Sequence, residues 1–314
     1  MHSSDLQRLA ERARSMREFG MALLAASGLL ALFLFVPLSS GGEPSAPDPS
    51  VAAVPDAFAQ IPVEAKAAIV YDLATGTALY EKNADAQLPL ASLTKLLTVY
   101  AALSSLSENA SITVSERATS LEGPRAFSEG QAFTLGDIAR LTLTASLNDG
   151  AAAIAEAAAA RQGISENALF AGAVSALGLS QTYAVNGSGL DVNTEISGGY
   201  GSARDLARLA GALVELAPDI AAATARPSTH AVSEGGTSFE VQNTDPMVET
   251  LSRLLLSKTG YTDLAGGNLA LVFDAGIRHP IAVVVLGSSQ KARFTDGAAL
   301  VAGALAHFAG VASL

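Results

Sequence analysis

Short apolar segments of strand-like composition lie near both ends of residues 63–314, and apolar residues at helical spacing fill the part between them. Runs rich in Val, Ile, Ala and Leu, bounded by turn residues, predict strands at 65–73, 76–82, 268–275 and 280–287. Apolar positions that recur at helical intervals predict helices at 92–103, 134–145, 149–161, 165–177, 202–216 and 291–309. This order is typical of an α+β domain: an antiparallel sheet built from both chain ends and flanked by helices, plus a mainly helical lobe from the middle.

The residues before this domain have a different pattern. Residues 1–20 are a basic segment with four arginines, and the 18 uncharged residues 21–38 follow. As a helix, residues 21–38 would reach about 27 Å, close to the hydrocarbon thickness of a bilayer. They are a transmembrane anchor, the interpretation we favour, or a signal segment that is removed. The arginines place residues 1–20 in the cytoplasm and the rest of the chain outside it.

The stretch 39–62 contains five prolines, which break helices and predict a semi-rigid linker. No second stretch of this kind follows, so residues 63–314 are expected to form a single domain.

Composition and charge exclude several classes of function. The 314 residues carry a net charge of -11, which argues against a surface that must neutralise the phosphates of a nucleic acid. Cysteine is absent and the four histidines are not at metal-ligand spacing, so no metal is predicted. The sequence has neither a Gly-x-Gly-x-x-Gly loop nor a Walker A loop, and no cofactor is predicted. A Gly-x-Ser-x-Gly motif is also missing, which disfavours a Ser-His-Asp hydrolase.

Lysine is rare in this chain, and one of the five lysines ends the tetrad Ser92-Leu93-Thr94-Lys95. At positions i and i+3 of a helix the two polar side chains share one face and lie within hydrogen-bond reach. Ser92 would lie at the helix N-terminus, where unpaired N–H groups favour developing negative charge. A neutral Lys95 could accept the hydroxyl proton, giving a nucleophile and its base. Spacing alone is weak evidence, because Ser288-Ser-Gln-Lys291 has it too.

A second candidate motif, Ser146-Leu147-Asn148, lies between two predicted helices. A loop in that position would present a hydroxyl and an amide to a cleft. Two other Ser-x-Asn sequences occur in the chain, so this motif alone does not identify a site.

A third candidate motif, Lys258-Thr259-Gly260, occurs once, just before the terminal strands. We expect Lys258 to supply the positive charge that keeps a neighbouring lysine neutral and attracts an anionic substrate. Gly260 would leave room for a substrate backbone, and the N–H of Tyr261 would join that of Ser92 in an oxyanion hole. The plainer interpretation is a turn before a strand.

The order Ser-x-x-Lys, Ser-x-Asn, Lys-Thr-Gly is that of the penicillin-recognising serine enzymes. From Ala65 onward the chain resembles the low-molecular-mass penicillin-binding proteins, the serine-type D-Ala-D-Ala carboxypeptidases of peptidase family S11. The likeness covers AAIVYDLATGTALYEKNAD, PLASLTKLLT, SLNDGAAAIAE, LGLSQTYAVNGSGLD and SKTGYTDLAGGNLA. It implies the β-lactamase/transpeptidase-like fold. The segment ARFTD is similar to one whose arginine helps hold the substrate's terminal carboxylate, which makes Arg293 a candidate. Leu90 and Leu147 are bulkier than is common beside these motifs, which predicts a narrower cleft.

The resemblance implies an enzyme that removes the terminal D-alanine from peptidoglycan stem peptides. Ser92 would attack the penultimate carbonyl, Lys95 would accept its proton, and Ser146 would pass a proton to the leaving amine. Asn148 and Thr259 would hold the peptide. Stem peptides and, as covalent inhibitors, β-lactam antibiotics are the implied partners. The domain is expected on the outer side of the cytoplasmic membrane, attached through the N-terminal segment.

Three further functions stay open on the sequence alone. A D,D-endopeptidase that cuts crosslinked peptidoglycan would use the same site. A class A β-lactamase needs a glutamate within Glu-x-x-Leu-Asn, but here Glu166-Asn-Ala-Leu169 is followed by Phe170 and comes too soon after Ser146. A non-catalytic domain that only binds wall peptide would not need the nucleophile.

Overall fold

The computed structural model describes residues 14–16, 20–21, 56–276 and 278–310. Contacts divide the chain into two units, residues 1–53 and residues 54–314. In the first unit, residues 14–16 and 20–21 are helical. Apart from Met21, the predicted anchor or signal segment 21–38 lies outside the described residues, as does the part of the predicted linker from 39 to 55. Within the described ranges, no helix has the length and apolar character that crossing a bilayer requires.

The second unit contains helices and strands in alternating groups. Its strands are β1 (Ala67–Asp72), β2 (Thr77–Lys82), β3 (Leu88–Pro89), β4 (Ser111–Thr113), β5 (Ala132–Thr134), β6 (Tyr183–Ala184), β7 (Gly199–Gly201), β8 (Ser228–Val232), β9 (Ser238–Gln242), β10 (Leu254–Thr262), β11 (Gly266–Asp274) and β12 (Pro280–Ser288). Its helices are α1 (Thr94–Leu103), α2 (Glu116–Thr119), α3 (Leu135–Ala145), α4 (Asn148–Gln162), α5 (Glu166–Leu177), α6 (Ala203–Leu216), α7 (Pro218–Ala223) and α8 (Ala292–Ala309). Every predicted helix and strand is present, with boundaries shifted by two residues or fewer.

Five strands form one antiparallel sheet in the order β10-β11-β12-β1-β2. The strand from the N-terminal part of the domain therefore pairs directly with one from the C-terminal part, for example Ala67 with Leu286. The predicted antiparallel sheet from both chain ends is confirmed. Strand β10 lies at one edge of this sheet, and the functional site forms beside that edge.

Both faces of the sheet are covered, which explains why its strands read as continuous apolar runs. Side chains alternate along a strand, so Ala67 and Ile69 enter one hydrophobic core while Ala68 and Val70 enter the other. Helix α6 packs on the first face and α8 on the second. The larger core continues into the helical lobe, where α1 is buried along most of its length between α4, α5 and α6.

The last residues of the predicted linker pack onto the domain. Ala57 is fully buried, and the Phe58 ring lies 5.6 Å from the Tyr80 ring and 6.2 Å from the His307 ring, centroid to centroid. Burial of an aromatic ring is strongly favourable in water, so this contact attaches Phe58 to the domain. The packed region therefore includes residues 56–62, whereas the predicted domain boundary was at 63.

The structure also contains elements that apolar periodicity did not predict. The hairpin β8–β9 has mostly exposed or half-buried side chains, and β3, β6 and β7 are only two or three residues long. Strands β3, β6 and β7 have too few residues to show a period-two pattern, and β8 does not alternate. Strand β9 does alternate polar and apolar residues, but only over five positions.

Candidate active site

The three sequence motifs meet in a cleft of about 640 Å³ between strand β10 and the helical lobe. Seven of the predicted site residues line it: Ser92, Ser146, Asn148, Thr259, Gly260, Tyr261 and Arg293. The two remaining ones, Lys95 and Lys258, are buried behind the wall and hydrogen bond to the serines that face the cleft. A larger cavity of about 1020 Å³ lies elsewhere in the domain and is lined by none of these residues.

Ser92 lies in a tight 3-10 turn, Ala91–Leu93, that leads directly into α1. The turn begins with Ala91 at a φ of +49°, a left-handed conformation that is unfavourable for residues other than glycine and that clusters at functional sites. The predicted helix was expected to start at Ser92, but the regular α-helix begins two residues later. The expected contact is present nevertheless: Lys95 Nζ lies 2.8 Å from Ser92 Oγ.

Lys95 is fully buried and its amine has three polar neighbours. Besides Ser92 Oγ, Asn148 Oδ1 and the carbonyl oxygen of Ser188 each lie 2.8 Å from Nζ. Burial lowers the pKa of Lys95 well below its ordinary value, and the charge of Lys258 lowers it further, against the opposing effect of Asp149. The neutral amine has two N–H donors and one lone pair. A neutral amine that donates to Asn148 Oδ1 and to the carbonyl oxygen of Ser188 has its lone pair available for the proton of Ser92, as a general base requires.

Ser146 connects helices α3 and α4 in a left-handed conformation, with a φ of +60°. This backbone directs its hydroxyl to Lys258, whose Nζ donates to Ser146 Oγ at 2.9 Å and to the carbonyl oxygen of Thr259 at 2.9 Å. Burial and the neighbouring charge of Arg293 lower the pKa of Lys258 to about 7, while Asp245 opposes this shift. Each serine of the cleft is therefore paired with a buried amine.

Asn148 joins the two halves of the site. Its Oδ1 accepts from Lys95, its Nδ2 donates to the carbonyl oxygen of Glu122 at 2.7 Å, and its backbone N–H donates to that of Pro124 at 2.7 Å. The adjoining Asp149, also fully buried, accepts from two backbone N–H groups of the same loop at 2.8 Å. The segment 122–124 lines the cleft and was not predicted, since it contains no motif that marks it.

Two further contacts hold the face formed by β10. The hydroxyl oxygens of Thr259 and Thr244 lie 2.6 Å apart, and Arg293 Nη1 donates to the carbonyl oxygen of Gly260 at 2.7 Å. Arg293 is 8% exposed, and its buried Nε has no hydrogen-bond partner within the described part of the chain. A buried donor without a partner costs free energy, so an anionic group bound beside it would be stabilised.

The loop before β7 also supports the lysine base and was not among the predicted site residues. Asn186 Oδ1 accepts from Ser188 and Gly189 and so holds the carbonyl that receives Lys95. Gly189 has a φ of +74°, and a Cβ there would lie 1.9 Å from the carbonyl oxygen of Ala91. Only glycine fits this position, and the signal in the sequence was the Asn-Gly-Ser-Gly turn itself.

Gly260 lines the cleft and has a second role that the sequence did not indicate. The position that its side chain would occupy lies against the turn that carries the nucleophile. A Cβ on Gly260 would lie 3.0 Å from the carbonyl oxygen of Leu90 and 3.3 Å from the backbone nitrogen of Ser92. Glycine is therefore what allows β10 to approach Ser92 closely.

We expect Gly260→Ala to slow acylation of Ser92 about 10-fold to 100-fold, because β10 and the turn must separate by a few tenths of an ångström. The measurement is the second-order rate constant for labelling by a fluorescent penicillin. Gly172→Ala is the matched control, since a Cβ there meets nothing within 4 Å and alanine is favoured in a helix. Equal labelling rates for Gly260→Ala and the unmodified protein would contradict the importance of this contact.

The expectation that Leu90 and Leu147 narrow the cleft is wrong. Leu90 is 1% exposed and Leu147 4%, and both side chains belong to the larger hydrophobic core rather than to the cleft lining. Each precedes a helix at a position where the side chain turns inward.

Among the described residues, no group of three or more His, Asp or Glu side chains is arranged to hold a metal ion.

Comparison with known proteins gives a consistent family. A family model described as D-alanyl-D-alanine carboxypeptidase, Peptidase S11, matches residues 53–290. A D-alanyl-D-alanine endopeptidase from Pseudomonas aeruginosa is 30% identical over 275 residues, covering 85% of this chain and 84% of that protein. The D-alanyl-D-alanine carboxypeptidase DacF from Bacillus subtilis is 30% identical over 236 residues, covering 73% of this chain and 59% of that protein.

Solved structures show the same fold. A penicillin-binding protein homologue from Mycobacterium tuberculosis superposes with a TM-score of 0.69 at 24% identity, covering 78% of this chain and 93% of that one. Penicillin-binding protein D2 from Listeria monocytogenes, in a cefotaxime-bound form, gives 0.64 at 26% identity, covering 77% and 98%. The predicted β-lactamase/transpeptidase-like fold and the predicted family are both confirmed. The chain is a serine-type hydrolase that belongs to the D-alanyl-D-alanine carboxypeptidase family, peptidase family S11.

Proposed function

We propose that the protein trims peptidoglycan stem peptides as a D-Ala-D-Ala carboxypeptidase, through an acyl-enzyme on Ser92. The observation that carries this proposal is the contact between Ser92 Oγ and the amine of Lys95, at 2.8 Å, in a fully buried setting that favours the neutral amine. A hydroxyl beside a neutral amine, at the wall of an open cleft, is what covalent catalysis by serine requires.

In the acylation step, Ser92 Oγ attacks the carbonyl carbon between the two D-alanines while Lys95 Nζ takes the hydroxyl proton. The bond from Oγ to carbon forms as the carbonyl π bond opens, leaving negative charge on the oxygen. The backbone N–H groups of Ser92 and Tyr261 stabilise that charge. Support for this pairing comes from Gly260, which allows the strand bearing Tyr261 to lie close to the turn bearing Ser92.

The tetrahedral intermediate then collapses and the bond to the leaving nitrogen breaks. Ser146 gives a proton to that nitrogen and recovers one from the charged amine of Lys258, to which it is hydrogen bonded. Terminal D-alanine departs. Water then attacks the ester carbonyl and loses a proton through Ser146 to Lys258, while Lys95 returns its proton to Ser92 Oγ as the shortened peptide leaves.

Substrate orientation follows from the charges of the cleft. Lys258 and Arg293 form a positive region at β10, and the unpartnered Nε of Arg293, within the described chain, suits the carboxylate next to the scissile bond. On the opposite wall, Asn148 retains donor capacity on Nδ2 for a substrate carbonyl. Thr259, which faces the cleft beside Thr244, supplies a further hydroxyl for the carboxylate.

A D,D-endopeptidase activity is the second candidate. It is favoured by the Pseudomonas relative, named an endopeptidase, which matches this chain over 84% of its own length. A class A β-lactamase has less support, because Glu166 lies at the start of α5 in an ion pair with Arg117 and does not line the cleft. A purely binding role has less support as well, because binding alone does not require a buried amine beside each serine of the cleft.

We also propose that β-lactams acylate Ser92, as a cefotaxime-bound form is known for the Listeria protein. The catalytic domain would act on the outer side of the cytoplasmic membrane, where its substrate is. Residues 21–38 would attach it as an anchor, with 1–20 in the cytoplasm and 39–55 as a spacer; this division rests on the sequence alone.

The deciding experiment compares two substrates with the purified full chain in detergent. One is a stem pentapeptide ending in D-Ala-D-Ala and the other is a crosslinked stem-peptide dimer. The proposal predicts release of D-alanine from the pentapeptide at the higher kcat/KM, and loss of that activity in Ser92→Ala. Faster cleavage of the dimer would identify an endopeptidase, and no cleavage of either would overturn the proposed function.

A further inference from the structure

Five ionisable side chains are buried around the cleft: the cations Lys95, Lys258 and Arg293, and the carboxylates Asp149 and Asp245. None of the ion pairs formed within the described part of the chain joins any two of them. Burying several like charges together is costly unless opposite charges lie near. Asp149 is the opposite charge near Lys95. Asp245 belongs to none of the three motifs, and its role has to be found from its surroundings.

Asp245 is buried and hydrogen bonded beside strand β10. It is 2% exposed and follows Thr244, the residue whose hydroxyl contacts Thr259. Its Oδ2 accepts from Ser257 Oγ at 2.6 Å and its Oδ1 from the backbone N–H of Met247 at 2.8 Å. Because Ser257 precedes Lys258 and Thr259 follows it, Thr244 and Asp245 lie against β10 on both sides of the lysine position.

Charged groups approach Lys258 from several elements. Arg293 on α8 and Lys95 on α1 are the cations, while the neutral Ser146 receives its hydrogen bond. Asp149 on α4 faces Lys95. Among the described groups that influence Lys258, Asp245 is the carboxylate that favours its charged form.

The same carboxylate acts on Arg293 as well. Burial lowers the pKa of Arg293, and Asp245 and then Tyr261 oppose that effect. One buried negative charge therefore serves both cations of the cleft, although it is hydrogen bonded to neither.

We propose that Asp245 is the shared counter-charge of Lys258 and Arg293, a positioning residue that keeps the anion-binding end of the cleft positive. This inference deepens the proposed function and rests on it, since it requires a substrate or inhibitor with a carboxylate. Asp245 does not touch the substrate; it acts through the two cations.

The consequence concerns the pH dependence of acylation. Lys258, with a pKa of about 7, loses its charge as pH rises through that value, so binding of an anionic substrate weakens above it. Without the negative charge of Asp245 the cation is less favoured, so its pKa falls and the loss begins at lower pH. The acidic side of the profile, where Lys258 is charged in both proteins, changes little.

The test compares the full chain with Asp245→Asn, measuring the second-order rate constant for acylation by a fluorescent penicillin across pH. Asparagine keeps the size and one acceptor but removes the charge. We expect the alkaline limb to move to lower pH by about one unit, which makes the variant roughly tenfold slower near about pH 8 and nearly equal near about pH 5. Asp245→Glu, which restores the charge, should return the limb towards its original position.

Asp205→Asn is the matched control. Asp205 is 3% exposed and likewise accepts from a backbone N–H and a hydroxyl, those of Gln181 and Thr182, but it does not line the cleft. Its variant should lose stability without moving the profile.

Each outcome decides a different question. An unmodified protein that is not acylated overturns the proposed function itself. Acylation with an unchanged alkaline limb in Asp245→Asn overturns only the role of Asp245. Asp245→Ser is a second neutral variant, which keeps a hydroxyl for Ser257. If neither neutral variant folds while Asp205→Asn does, Asp245 is a structural residue and the inference is wrong.

Discussion

Replacement of Ser92 by alanine is expected to reduce turnover of a D-Ala-D-Ala peptide by at least about ten-thousand-fold. Ser92 Oγ is the atom that bonds to the substrate in the covalent intermediate. No other hydroxyl of the described cleft is hydrogen bonded to Lys95 Nζ. The side chain is small and half-buried, so its loss should leave the fold intact. Release of D-alanine and the thermal unfolding midpoint, measured on the same preparation, separate the two effects.

Ser288 provides the matched control for this change. It begins the other tetrad with serine-lysine spacing, but its hydroxyl donates to the buried Asp296 at 2.8 Å and does not line the cleft. Ser288→Ala should therefore lower stability and retain activity. If turnover by Ser92→Ala stays within roughly tenfold of the native rate, Ser92 is not the nucleophile, because a site without its nucleophile loses far more activity than that.

The second large effect is expected for Lys95→Arg, about a thousand-fold in the rate of acylation, within the range for a lost general base. The substitution supplies a permanent positive charge, so it distinguishes a base from a simple cation. A guanidinium does not give up its proton at any accessible pH. It is also larger than an amine, in a pocket where three oxygen atoms already lie 2.8 Å from Lys95 Nζ. The acylation rate measured against pH should show no recovery at alkaline pH.

Lys291→Arg is the corresponding control, because Lys291 closes the second tetrad and is exposed at the start of α8. The Lys291→Arg protein should be acylated at the native rate. A Lys95→Arg protein that recovers near-native acylation as pH rises would show that Lys95 does not accept the proton.

The general fold was accessible from the sequence because its strands and helices are each long enough to give a pattern. Strands β1, β11 and β12 are nearly continuous apolar runs, as expected where helices cover both faces of a sheet. Their pairing across the chain was inferred from order alone, and the structure confirms it. The hairpin β8–β9 was not predicted, because β8 has no alternation and that of β9 extends over only five residues.

Only part of the site could be predicted from the sequence, because spacing along the chain reports local contacts alone. Ser92 and Lys95 are neighbours along a helix, so spacing predicts their contact directly. Long-range contacts such as that between Thr244 and Thr259 depend on how loops fold over the sheet, which local spacing does not determine. The close approach of Gly260 to the turn that carries Ser92 could not be predicted for the same reason, because that turn is far away in the sequence.

The most direct test of the central claim, that Ser92 is the residue acylated in the convergent site, is peptide mapping by mass spectrometry. The full-length protein is incubated with benzylpenicillin, digested, and searched for the penicilloyl group. The predicted result is a single adduct on the peptide that contains Ser92, absent after denaturation before incubation. An adduct on another residue, such as Ser146 or Ser288, or hydrolysis of D-Ala-D-Ala peptide with no adduct at Ser92, would contradict the claim.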